Sequence, residues 1–135
     1  MSESSEPEQF GCAACRAVPA SRSEFRLTRV RNLFEDPHDG YALFACPECG
    51  QPFLEQFQEI TWLPNGEDDI WLLWMPLTEQ EHAEINQLCP DVTEDGNVAR
   101  RFAEMMRTRG RLVRDPNGVF AWYDTPRDAG NLFGP

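Results

Sequence analysis

Two cysteine pairs dominate the chemistry this chain offers: Cys12-Ala13-Ala14-Cys15 and Cys46-Pro47-Glu48-Cys49-Gly50, thirty residues apart. Each Cys-x-x-Cys lets two sulfurs approach one ion from a tight turn, and two such turns complete a tetrahedron at about 2.3 Å per zinc–sulfur bond. Four thiolates leave no further position for substrate or water, so the expected metal, one zinc ion, is structural and not catalytic. Pro47 keeps the second turn bent. Gly50 accommodates a positive φ, which aims backbone N–H groups at the sulfurs and offsets thiolate charge. Five cysteines are an odd total for a disulfide framework, and the chain is expected in a reducing cytoplasm, where paired cysteines are metal ligands or redox centres first.

Cys46-Pro47-Glu48-Cys49-Gly50 followed by Gln51-Pro52-Phe53 resembles the second knuckle of the zinc-ribbon group running into its strand. The resemblance covers residues 10–62 and implies a metal-pinned antiparallel β-sheet. It says little about role, because ribbons serve as polymerase parts, ribosomal parts, adaptors and enzyme appendages. The first pair departs from the pattern. Arg16 stands where a glycine is usual, which requires either a left-handed residue, at about 1–2 kcal/mol, or a less regular turn. Rubredoxins, which hold iron for electron transfer, have a similar two-knuckle pattern. This chain lacks the glycine and aromatic that usually follow their first pair and is much longer, so a rubredoxin-like iron carrier is the weaker alternative. A thioredoxin-like dithiol is weaker still, since neither pair opens a helix after a strand.

Nothing else in the chain reads as catalytic. Cys89 ends a helical stretch with no basic neighbour in sequence to activate it, which makes it a buried, inert thiol. His38 falls in a polar turn and His82 on a half-buried helix face. There is no Gly-x-Ser-x-Gly, phosphate loop or His-Glu-x-x-His, so no enzymatic activity is expected.

The net charge of −11 is unevenly spread. Residues 35–95 hold fifteen acids and no arginine or lysine, whereas residues 96–114 carry Arg100, Arg101, Arg107, Arg109, Arg111 and Arg114 against Glu104 alone. There is no lysine anywhere. Either the basic and acidic segments pair within the fold, or the acidic segment is a docking surface for a basic protein partner. The leading functional expectation is a non-enzymatic, bacterial-type adaptor, inhibitor or immunity-like factor, with Trp71, Trp74, Glu67, Asp68 and Asp69 as candidate contact residues. The alternative is a transcription-associated factor that lays the arginine cluster on nucleic acid, with Trp122 and Tyr123 nearby for stacking. The acidic balance weighs against it.

The elements that must position these residues follow from pattern. With 41% apolar and 11% aromatic residues the chain is not disordered overall, and 135 residues suffice for one domain with a real core. No apolar run approaches the roughly 20 residues of a membrane span, and residues 1–9 are acidic, unlike a leader peptide. The expected fold is α+β: an acidic tail over 1–9, a zinc-ribbon-like antiparallel sheet over 10–75, two helices and a C-terminal hairpin over 76–124, and a tail over 125–135. Ser21–Phe34 reads as an irregular strand, followed by Tyr41–Ala45, Phe53–Trp62 and a central Ile70–Met75. Thr78 with Glu81 has capping-box spacing before a helix over Glu79–Leu88. A second helix is expected over Asn97–Arg109, capped by Gly110, and Asp115-Pro116-Asn117-Gly118 reads as a turn.

Overall fold

Continuous apolar runs such as Leu72-Leu73-Trp74-Met75 belong to strands covered on both faces, and a sheet built from them sits inside two layers. In the computed structural model, which describes residues 10–62 and 67–123, that sheet has six strands. They are β1 (Thr28–Glu35), β2 (Asp39–Ala45), β3 (Pro52–Trp62), β4 (Glu67–Pro76), β5 (Arg111–Arg114) and β6 (Phe120–Tyr123). Spatial order follows chain order and every neighbouring pair is antiparallel. Three helices complete an α+β fold: α1 (Ala13–Arg16), and α2 (Glu79–Leu88) and α3 (Gly96–Met105), which both lie in the connection from β4 to β5. The expected tails over 1–9 and 125–135, and the side chains of Trp62, Glu67 and Asp68, fall outside the described residues.

Alternation along the strands sorts the core into two clusters. On one face Leu33, Leu43, Leu54, Leu73, Met75 and Val113 pack with Ile85, Phe102 and Met105 of α2 and α3. On the other face Ala42, Phe44, Phe53, Trp74, Leu112 and Phe120 pack with Phe10, Phe25 and Leu27 of the N-terminal segment. Helices therefore cover one side and the cysteine-bearing segment covers the other.

Local chemistry explains most boundaries. Thr78 Oγ1 accepts from the Glu81 N–H at 3.1 Å and Glu81 Oε1 accepts from the Thr78 N–H at 2.9 Å, the reciprocal capping box that starts α2. Asp115 Oδ1 accepts from the N–H groups of Asn117 and Val119, both at 2.9 Å, and Gly118 takes φ 86°, closing the turn from β5 to β6. Two expectations are corrected. The strand over 21–34 is only partly a strand: Arg22–Glu24 is a 3₁₀ turn, and pairing starts at Thr28 with irregularities between Arg29 and Arg31 and between Asn32 and Phe34. Phe25 and Leu27 lie across the sheet face as part of its cover instead of pairing along its edge. The second helix ends at Met105, before Arg109, and the Thr108 hydroxyl donates to the Met105 carbonyl at 2.7 Å.

Candidate metal centre

The turn from β2 to β3 delivers the second cysteine pair. Cys46 N–H donates to the Gln51 carbonyl at 3.0 Å and Gly50 N–H to the Cys46 carbonyl at 2.8 Å, with Gly50 at φ 83° as its position demanded. The first pair sits on α1, whose N-cap is Cys12 itself. Arg16 is the last residue of this helix and not a left-handed one, so the first turn takes the less regular form. Its guanidinium reaches back to the Phe10 carbonyl at 3.1 Å, and the left-handed residue is Gly11, before the pair, at φ 55°. A Cβ at Gly11 would stand 2.2 Å from Cys15 Sγ, so the sulfur occupies the space that glycine leaves. The sequence marker is a glycine directly preceding the first cysteine, easily passed over when the glycine is sought after the pair.

The four sulfurs of Cys12, Cys15, Cys46 and Cys49 all lie within 4.8 Å of one another. Cys12 and Cys46 are 3.8 Å apart, Cys15 and Cys49 3.8 Å, and Cys12 and Cys15 4.0 Å. A regular tetrahedron with bonds of about 2.3 Å has edges of about 3.8 Å, so the arrangement fits one tetrahedral ion. None of the four is in a disulfide.

The electrostatics set Cys12 apart from Cys15 and Cys46. The Cys15 N–H first, and then the Cys49 thiol and the Ala14 N–H, pull the Cys12 thiol down to about 7, against the effect of desolvation. Burial pushes the Cys15 thiol up to about 12, and burial also raises Cys46, whose sulfur receives the N–H groups of Cys49 and Glu48. Matching i+2 and i+3 amides aimed at the leading sulfur of each pair are what neutralise thiolate charge around a bound cation. The centre clamps the N-terminal segment to the end of the sheet. Phe10 then packs on Phe53 and Trp122, each with ring centroids 5.7 Å away, and Phe25 on Trp74 at 4.5 Å.

The other sequence candidates disperse. Trp74 is 2% exposed among Phe25, Phe44 and Phe120, so it is a core side chain and not a contact anchor; β4 is central and the cysteine-bearing N-terminal segment covers that face. Trp71 is half-buried against the helix-side core, and Asp69 is half-buried as well. The arginines do not form one solvent-facing stripe. Arg101 makes paired bonds to Glu84 at 2.6 and 2.9 Å, Arg109 makes paired bonds to Glu81 at 2.8 Å each, and Arg111 is 0% exposed. Arg114 is half-buried, while Arg100 and Arg107 are exposed. Cys89 is buried and donates its S–H to the carbonyls of Leu33 and Asp91 at 3.1 and 3.0 Å; burial raises its pKa, which fits an inert thiol. His38 sits in an exposed turn 3.5 Å from Glu59.

Sequence reasoning missed Glu55. It reads as one of several polar residues along β3, yet it is 4% exposed. Its strand position pairs with Ala42 on one side and Trp74 on the other, on the face that the N-terminal segment partly covers.

No family model and no solved structure matches the chain. Among curated proteins the chain is similar to the leucine–tRNA ligase of Bartonella bacilliformis, at 26% identity over 157 aligned positions. The alignment takes in 92% of this chain and 17% of the ligase, so the chain corresponds to a small part of that relative.

Proposed function

We propose that this chain is a zinc-stabilised, non-enzymatic binding protein that presents an acidic surface to a basic protein partner. Zinc suits four cysteine thiolates in a closed tetrahedral shell, and the second turn resembles a zinc-ribbon knuckle. A shell of four sulfurs has no place for a substrate, which supports a structural and not a catalytic ion.

One observation carries the partner reading. The basic segments spend much of their charge within the fold, on the acidic segment's own carboxylates: Arg26 to Glu48, Arg29 to Glu55, Arg101 to Glu84 and Arg109 to Glu81. The surplus of acids is thereby left at the surface, where Glu35, Asp36, Glu79, Asp91 and Glu94 are exposed and make no ion pair among the described residues. Such a field attracts and orients a basic surface, with a strength that falls as salt rises. Affinity capture of the full chain at low salt, followed by a salt gradient, tests it: a basic protein should be retained and then released. Retention of partners only through salt-insensitive contacts, or through Arg100 and Arg107, counts against it.

The likeness to a tRNA ligase favours a second reading, in which the chain works beside nucleic acid through Arg100 and Arg107. Binding of RNA at low salt, with a steep salt slope and loss in Arg100→Ala/Arg107→Ala, is its test.

A further inference from the structure

The metal-pinned segment covers its face of the sheet incompletely. Phe25 and Leu27 pack with Trp74, Leu112 and Phe120. Toward the turn between β1 and β2, the same face has the small residues Gly40 and Ala42 on β2, with the Phe57 side chain beside Gly40. One row of the sheet there runs Gly40–Phe57–Leu72–Arg114, and the next sets Ala42 beside Glu55. Together with Arg29 these residues line a cleft of about 550 Å³.

Several polar groups at this cleft are poorly satisfied. Glu55 is 4% exposed, and its nearest cation, Arg29 Nη2, stops 3.9 Å from Oε1. Burial pushes the Glu55 carboxyl up to about 7, and the Arg29 guanidinium and Trp74 indole pull it back only in part. Arg114 Nε is buried with no hydrogen-bond partner. The acids of the rim are engaged locally: Asp36 accepts from the His38 N–H at 3.0 Å and Glu35 from the Asn32 amide at 3.1 Å. Arg114 therefore brings to the cleft a buried donor that has no acceptor.

We propose that this cleft binds a small organic carboxylate with an apolar body, its oxygens taken by Arg114 and Arg29 and its body lying on Phe57 and Leu72. An anion beside Glu55 favours the neutral acid, so binding draws a proton from solvent onto the fraction of Glu55 still ionised, and its O–H then donates to the ligand. The charged groups lining the cleft with Glu55 are Arg29 and Glu35 from β1, Asp36 from the turn after it, Asp39 from β2, Arg114 from β5 and Arg22 from the 3₁₀ turn. With the acid half-protonated near neutrality, affinity rises by about tenfold from pH 8 to pH 6.

Calorimetry and amide NMR on the metal-loaded full chain test it, with hexanoate, benzoate and N-acetyl-Gly-Ala-Phe as probes. The last separates a peptide C-terminus from a free acid. Saturable shifts centred on Gly40, Glu55 and Arg114 are expected from at least one probe at millimolar concentration, and none from hexanamide or benzamide. Glu55→Gln should keep binding and lose its pH dependence. Arg114→Met should weaken binding at least about tenfold; Arg29→Met, at the exposed rim, gives the same readout should Arg114→Met fail to fold. Silence from all three acids, equal binding of the amides, or undiminished binding in folded Arg114→Met or Arg29→Met overturns the proposal.

Discussion

Alanine at Gly11 and at Gly50 separates backbone strain from displacement of a metal ligand. Both glycines have positive φ, 55° and 83°. A Cβ at Gly50 meets nothing within 4 Å, so Gly50→Ala carries only the left-handed penalty of about 1–2 kcal/mol, roughly a 5- to 30-fold loss. A Cβ at Gly11 stands 2.2 Å from Cys15 Sγ. Relieving that overlap moves the sulfur by about 1 Å or more, well beyond the ~0.2 Å within which metal–ligand distances are held. An equal quarter share of an apparent zinc-binding free energy of about 10–16 kcal/mol is about 2.5–4 kcal/mol. Gly11→Ala should therefore lose a further ~100- to 1,000-fold in metal affinity relative to Gly50→Ala. Competition with a chromophoric chelator at fixed pH measures both. If the two variants bind metal equally well, the packing of Cys15 against Gly11 does not govern the first turn.

Three further outcomes follow from the same geometry. Chelation should loosen the aromatic face that Phe10 and Phe25 cover while leaving the helix-side core, so hydrogen exchange should speed up at Phe53 and Leu112 well before α3; uniform loss of protection across both faces contradicts this. Glu55 has a raised pKa in the fold, near 7 against 4.5, so the native state holds the extra proton between those values and stability falls as pH rises through them. Glu55→Gln should then stabilise the protein by roughly 3 kcal/mol at pH 8 and by little at pH 4 in urea titrations, and equal effects at both pH values argue against a buried acid. For Glu81, burial is outweighed by Arg109 and the Thr78 N–H, which hold its carboxyl below the usual range. Its contribution is present above the unfolded pKa and lost as pH falls through the folded one, so the roughly 1.5–3 kcal/mol cost of Arg109→Met at pH 7 should shrink in acid.

What was legible in the sequence was what local chemistry decides. The two cysteine pairs, the Thr78–Glu81 capping box and the Asp115–Gly118 turn each involve groups a few residues apart, and the structure places all of them as their spacing implied. Features set by what lies across the sheet were not legible. Ser21–Phe34 carries strand-like apolar residues, but Phe25 and Leu27 are needed as the lid over Trp74 and so leave the ladder before Thr28. Glu55 sits between Phe53 and Phe57 on one face of a strand with polar residues interspersed, and only the register with Ala42 and Trp74 shows that this carboxylate lies under a partly covered face. The charge imbalance was plain; which arginine meets which acid depended on α2 lying beside α3.

The central claim is that Cys12, Cys15, Cys46 and Cys49 close one structural metal site, and native mass spectrometry of gently purified full chain tests it most directly. The account expects the folded charge states to carry the mass of one zinc ion per chain, less the protons the thiols release, and expects that mass and the compact charge states to vanish together in Cys46→Ala. Compact ions at the mass of the bare chain would contradict it, and one iron in place of zinc would contradict the assignment of the metal.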